Sequence, residues 1–556
     1  MIDQQLAEIR LLQAAEKREA AEIDDDQLGY VLVTSAPVSH EDVVAWFAGA
    51  FPGIEIEVES VFLTEKDPVH FLVWIARAWP GNLTGSPFEI AYAMEQAGDI
   101  SPTVRVMHVE PVLELGCTGV QFDELGTDKT RSVGGVFGCF TDKDDKPTVN
   151  ETQGVDFDWV HKTLSIREAK DAFGVTGKGV TIAHIDTGIA EHIEIGNLDP
   201  DHGANLIEGG TRAVDPLSDN SGFWNPGHGT ATSSVIFSLP VPDGVVDGVA
   251  PDADIYPVRA IRTVIRLAQW RVARAIDLAI EAGADIITMS LGGIWSWLLS
   301  DAVRRAEERN ILVMAAAGNC VQWVVYPARF SRCLSVAGTR PPTWDNHWTT
   351  EGRWQGTCRL GPVDICAPGQ FVWCAAPKQG ETFVGAGEGT SFAVALVAGI
   401  GALWLQRYGR KDLEAGLGDA TLLDLFKSEL VRTSSKDVDL GEGLENGIAD
   451  AFALLKGPVP SLRKKNRQPL EKDDGTLSRQ VLDMLEAIDP RSAEQLAETA
   501  SKRSMEMNRV ALEMQWMMLN KALRASGVRT VPQATASTRL SQLLKDMPRL
   551  REAELL

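Results

Sequence analysis

The chain has 556 residues, a formal net charge of −24 and 44% apolar residues, enough to bury several sizeable cores and to exclude wholesale disorder. An acidic surplus of this size argues against a protein built to neutralise phosphate backbones, so no nucleic-acid partner is expected. The surplus sits before residue 457; the last hundred residues carry a slight excess of Lys and Arg, the composition of a solvated helical tail or a docking segment.

Residues 1–27 are charged throughout, lack the apolar run of a secretory signal, and read as a short polar helix. Residues 28–113 give a β-α-β-β-α-β pattern. Its strands are expected at 30–35, 54–63, 70–76 and 103–112, its helices at 40–51 and 86–98, the order of a ferredoxin-like α+β unit. Residues 114–154 are rich in Gly, Asp, Thr and Lys without periodicity and read as a linker. From 155 to 456 strands and helices alternate. The apolar runs GVTIAHI (179–185), ADIITMS (284–290) and NILVMAAA (310–317) suit a parallel sheet with helices on both faces, and QWRVARAIDLAIEAG (269–283) is helical in period. The longest apolar stretch, ALVAGIGALWL at 395–405, is too short to span a bilayer and reads as a buried helix, so no membrane partner is expected. Residues 457–475 read as a second linker. The helical segment 476–556 follows, with Met507, Met514, Met517 and Met518 at helical spacing. That stripe either packs on the 155–456 domain or binds a protein partner or a second copy of the chain. The seven cysteines form an odd set without CxxC pairs. Together with the charged start they point to a reducing, cytoplasmic setting.

Three motifs in the 155–456 region carry chemistry. Asp186 lies in HIDTGI directly after a buried strand; a turn would also use Asp and Gly there. An aspartic-protease site would need a second Asp-Thr/Ser-Gly, and the chain has none. His228 lies in NPGHGTATSS, which also fits a capping turn with an incidental histidine. His184, His192 and His202 are near it in sequence, but no HExxH or HxH spacing supports a metal site, and no metal or other cofactor is expected. Ser391, in GEGTSFAVALVAG, opens a long apolar helix. It can be an ordinary cap or a nucleophile presented where helix N–H groups favour an oxyanion. Taken together they supply what a hydroxyl nucleophile needs: a base within reach and a carboxylate that sets the tautomer of the base. Asn319, at the end of NILVMAAAGN, is either a turn residue or an amide donor to the oxyanion.

These strings, in this order, resemble the subtilisin-like (subtilase) serine proteases. GKGVTIAHIDTGI is similar to the family's Asp motif, HGT at 228–230 to its His motif and GTSFAVALVAG to its Ser motif. AAAGN carries the oxyanion asparagine, and SLGG (290–293) and APG (367–369) are further landmarks. The resemblance implies a subtilisin-like α/β domain that cleaves protein or peptide substrates through an acyl-enzyme, with Asp186, His228 and Ser391 as the triad. It implies that substrate pairs as an added strand with Ser290, Leu291 and Gly292, and that the P1 pocket lies between that segment and Ala315, Ala316 and Gly318. Val325 stands where many relatives have a smaller residue, which predicts a short pocket for small or medium apolar side chains. Cys320, next to Asn319, reads as an inert small residue or as a source of thiol sensitivity. Ala395 and the Ser233–Ser234 pair depart from the family pattern without removing a catalytic group. The 28–113 unit resembles the family's propeptide, which implies latency and self-cleavage between about 110 and 155. An acyl transferase or ligase on the same residues, and a scaffold with a dormant triad, remain open at this level.

Overall fold

The structure, a computed structural model, describes residues 28–75, 86–113, 158–195, 198–217, 226–238, 246–262, 264–266, 269–319, 323–342, 350–358, 360–361, 363–378, 381–461, 481, 510–518 and 536–545. The expected helix at 1–27, the linker at 114–154, most of the linker at 457–475, Cys320 and Met507 lie outside them.

The N-terminal unit is a four-stranded antiparallel sheet of β1 (Leu28–Thr34), β2 (Ile56–Ser60), β3 (His70–Ile75) and β4 (Val106–Pro111). Its order is β2-β3-β1-β4. Helices α1 (His40–Ala50) and α2 (Pro87–Gln96) make the two crossovers, which is the ferredoxin-like arrangement expected. Ser39 caps α1 by accepting from Asp42 N, a local signal readable in SHED. Strand β3, HFLVWI, is apolar on both faces because both are covered: five of its six residues are buried. One face shares a core with the two helices through Phe47, Phe71, Val73 and Met94. The other lies on the following domain.

That domain is built on an eight-stranded, mainly parallel sheet. Its main path is β13 (Gly352–Arg353), β12 (Leu334–Arg340), β11 (Leu312–Ala316), β9 (Ile286–Met289), β5 (Thr181–Asp186), β7 (Asp254–Arg259) and β6 (Ala204–Asn205), with β14 (Ile365–Pro368) beside β12. The central strands are buried along their length, as a doubly covered parallel sheet requires. Helices α3 (His228–Phe237) and α6 (Thr390–Tyr408) pack together against the sheet, and α4 (Trp270–Glu281) and α5 (Trp297–Glu307) pack as a second pair. Helix α6 is long and apolar enough to cross a membrane, yet 89% of its apolar window is buried in the domain's own core. A short pair, β8 (Ile265–Arg266) and β10 (Gly292–Gly293), is parallel, and β15 (Val372–Lys378) with β16 (Glu381–Gly387) forms a hairpin.

The N-terminal sheet docks on α4 and α5. Arg274 donates to the carbonyls of Val61 (2.8 Å) and Ser60 (2.7 Å) and pairs with Glu59 at 3.1 Å. Thr64 bonds the Asp277 carboxylate, which also pairs with Arg305 at 2.8 Å. Buried Glu110, on β4, accepts from Ser296 Oγ at 2.8 Å and Leu298 N at 3.2 Å, supplying a carboxylate to the start of α5 where the helix dipole favours one.

Segment 510–518 is helical and lies between the two domains. Met514, Met517 and Met518 are buried in the same core as the catalytic domain, so this part of the methionine stripe packs within the chain and is not an open surface for a partner or a second copy. Gln515 accepts from Trp295 N at 3.3 Å, and the rings of Trp516 and Phe88 lie 5.7 Å apart. The fully buried Glu513 carboxylate receives Tyr92 Oη (3.1 Å), Ser537 N (2.5 Å) and Ser537 Oγ (2.7 Å).

Candidate active site

Parallel strands end on one side of the sheet, and loops there meet the starts of the helices that follow. Asp186 is the last residue of β5 and His228 the first of α3. The two loops touch because Gly229 has no side chain: a Cβ there would come within 2.2 Å of Gly188 O. His228 Nδ1 and Asp186 Oδ1 are 2.7 Å apart. Asp186 is fully buried, and its Oδ1 also accepts from Thr187 N at 2.7 Å. Thr232, one turn along α3, lies 3.4 Å from Oδ2 and 3.0 Å from His184 Nε2.

Electrostatics follow from this contact. Burial works to raise the Asp186 pKa, but His228, His184 and the Thr187 N–H outweigh it, and the carboxyl is held below its ordinary range. Burial works to lower that of His228, but Asp186 and then Asp215 prevail and the imidazole is raised above its ordinary value. His184, buried under Asp186, is pushed down by desolvation. The arrangement favours a carboxylate and a basic imidazole.

Ser391 is the second residue of α6 and 4% exposed. Gly389, at φ 145°, sets the turn into the helix, a conformation a side chain would strain. Asn319 follows β11. Its Oδ1 accepts from Thr390 N at 2.9 Å and Thr390 Oγ1 at 2.7 Å, which leaves Nδ2 as the free end of the amide. Nδ2 lies 3.1 Å from where a Gly389 Cβ would sit, and Ser391 N and Cβ lie 3.6 and 3.7 Å from that same point. An amide donor and the first N–H groups of a helix therefore flank one serine. His228 and Ser391, at the starts of two packed helices, share no hydrogen bond in this structure; such bonds commonly tighten only when substrate is bound.

The residues expected to pair with substrate make contacts of their own within the chain. Ser290 is buried and donates to Ser391 O at 3.0 Å; Leu291 is buried too. Gly292 N donates to Val264 O at 2.8 Å, and Gly293 N to Tyr326 O at 2.9 Å. The Gly292 N–H is thus already used within the chain by the β8–β10 pairing, and an added strand has to displace Val264 to reach it. Of the expected pocket residues, Ala315 and Ala316 are buried at the end of β11. Val325 stands between the other two walls: its Cγ2 lies 2.3 Å from where a Gly292 Cβ would be and 3.0 Å from where a Gly318 Cβ would be.

His184, His192 and His202 have other work: His184 bonds Thr232, His192 Nδ1 accepts from Glu194 N, and His202 packs edge-on against Tyr256. Among the described residues no three His, Cys, Asp or Glu side chains form a metal-binding group. Sequence reasoning missed Thr187, Asp215, Thr232 and Thr390. Thr187 and Thr390 adjoin motif residues and could have been flagged as hydroxyls beside them; Asp215 and Thr232 carry no string that marks them.

The profile of the subtilase family matches residues 177–451. The thermostable alkaline protease of Halalkalibacterium halodurans is 33% identical over 321 residues, covering 57% of this chain and 78% of that protein. Subtilisin BL of Lederbergia lenta is 33% identical over 236 residues, 42% of this chain and 79% of that one. The minor extracellular protease Epr of Bacillus subtilis is 28% identical over 340 residues, with 60% of this chain aligned to only 48% of Epr. Among solved structures, fervidolysin from Fervidobacterium pennivorans superposes with a TM-score of 0.52 at 19% identity, over 79% of this chain and 63% of that one, a likeness of fold. An aligned third of identical residues along more than three quarters of two proteases, on a sheet of this topology, places the chain in a definite lineage: it belongs to the subtilase family of serine endopeptidases.

Proposed function

We propose that the chain hydrolyses peptide bonds with Ser391 as nucleophile, His228 as general base and then acid, and Asp186 as the carboxylate that orients the imidazole. Ser391 Oγ attacks the scissile carbonyl as His228 Nε2 takes its proton. The oxyanion is met by Asn319 Nδ2 and the Ser391 N–H. His228 then protonates the leaving amine, and water repeats the sequence on the acyl-enzyme. The observation that carries the reading is the 2.7 Å Asp186–His228 bond at the start of the helix packed against the one that Ser391 opens.

Val325, wedged against Gly292 and Gly318, supports a preference for small or medium apolar P1 side chains. Docking of the 28–113 sheet on α4 and α5 supports regulation of the enzyme by that unit. Cys366 and Cys374, buried as thiols, support work in a reducing compartment.

The test is covalent labelling with a fluorophosphonate probe, with the adduct located by mass spectrometry. Labelling of Ser391 in the wild-type chain, lost in Ser391→Ala and accompanied by hydrolysis of a peptide library, is the expected result. Absence of an adduct at Ser391 would indicate a dormant scaffold, and aminolysis exceeding hydrolysis with an added amine would indicate a transferase.

A further inference from the structure

We propose that Asp215 is a positioning residue for this reaction: it ties the Asp186 loop to the start of the His228 helix and holds a negative charge toward the imidazole. The inference rests on the reading of Asp186, His228 and Ser391 as the reacting set.

Asp215 is 5% exposed. Its Oδ2 accepts from Thr187 Oγ1 at 2.8 Å and from Gly227 N at 2.7 Å; its Oδ1 accepts from Leu217 N at 3.1 Å. Thr187 directly follows Asp186, and Gly227 directly precedes His228. Thr187 Oγ1 in turn accepts from Gly229 N at 3.0 Å. One carboxylate oxygen therefore bridges the residues adjoining both partners of the 2.7 Å bond, and a hydroxyl closes the ring on the far side of His228. Among the described residues no Lys or Arg pairs with Asp215, so its charge is solvated by three donors and not cancelled by a cation. A buried charge left in that state acts on its neighbours at low effective dielectric.

Among the described residues few charged groups lie near the imidazole, and the buried Arg259 on β7 donates to Thr187 O beside them. Asp186 and His184 face it from β5, and Asp215 from the loop beside Gly227; these act on it or on its partner. Glu194 lies at the other end of α3, bonded to Ser238. Strand β15 and α6 also pack against the helix, and Ala375 N of β15 donates to Ser234 Oγ at 2.9 Å. Among the described residues Asp215 is thus the second carboxylate, after Asp186, that acts on His228. Its consequence has a definite sign. His228 works as a base when neutral, so the rate is high above its pKa and falls below it. A nearby carboxylate raises that pKa and stabilises the imidazolium formed as Ser391 attacks. Removing the charge moves the fall in rate to lower pH and slows the plateau.

The experiment follows the rate of Ser391 phosphonylation by a fluorophosphonate-rhodamine probe against pH in the full chain. Asp215→Asn keeps an oxygen for Thr187 and Gly227 but removes the charge. The expected result is a slower plateau and an acid limb displaced to lower pH by about half a unit or more. A limb at the wild-type position, whatever happens to the melting temperature or the plateau, overturns the electrostatic role. The His228 titration followed by NMR on histidine-labelled protein decides the same point without activity: a pKa equal in wild type and Asp215→Asn overturns the proposal, while a wild type unlabelled at Ser391 overturns the reacting set alone. If Asp215→Asn does not fold, Thr187→Val and Thr187→Ser decide. Slow labelling in the valine variant that serine largely restores supports the tie; equal rates overturn it.

Discussion

On the proposed reading, Val325 and Asn319 set specificity and rate through single side chains. Val325 fills the space beside Gly292 and Gly318, where the proposed reading puts the P1 side chain. Val325→Gly should open that space and shift the preferred P1 group in a peptide-library profile from small apolar toward aromatic; an unchanged profile would show that the pocket lies elsewhere. Asn319 is clamped through its oxygen by Thr390, which fixes where its nitrogen points. Asn319→Ala should lower kcat by about 10²–10³ with little change in KM, a magnitude established on subtilisin; an effect confined to KM would argue against an oxyanion donor. Asp186, His228, Ser391 and Asn319 could be singled out from the sequence because each sits in a contiguous string, DTG, HGT, GTS or AAGN, placed at a strand end or a helix start. Asp215 and Thr232 could not, because what gives them meaning is a contact across folded elements. A lone Asp in a loop and a Thr on a buried helix face look ordinary until His228 is beside them.

At the scale of elements, short apolar runs were enough to predict β5, β9 and β11 as strands of a doubly covered parallel sheet, and 3.6-residue spacing was enough for α4. The β8–β10 pairing was not legible. Two short Gly-containing segments carry no periodicity, and only the fold decides that Val264 O takes the Gly292 N–H. The docking of the N-terminal sheet was equally hidden, although β3 announced it by being apolar on both faces. Glu110 ties β4 to the start of α5 through two hydrogen bonds, beside the edge-on contact of His108 with Trp297 at 5.3 Å. Glu110→Ala leaves Ser296 Oγ and Leu298 N without their acceptor in a buried place and should destabilise the folded chain by about 1–3 kcal/mol. Thermal or denaturant unfolding with an unchanged m-value checks it; a shift within error would mean that water replaces the carboxylate.

Across the whole molecule, three regions far apart in sequence converge on Glu513. Burial raises its carboxyl pKa against the pull of hydrogen bonds from Ser537, Tyr92 and Ser86. Arg539 adds a cation over the Tyr92 ring at 4.5 Å. Glu513→Ala should raise hydrogen exchange in α2 and in 510–518 together, since both lose the same acceptor; exchange confined to one of them would show that the two are not coupled. The position of 510–518 has a consequence for the order of events in the life of the chain. The N-terminal sheet is gripped by α4 and α5 beneath it and by segment 510–518 beside α2. Backbone scission between 113 and 158 removes neither grip. A nicked chain should therefore run as two fragments in denaturant yet travel as one particle in native sedimentation, and shedding the first fragment should require the tail to let go as well.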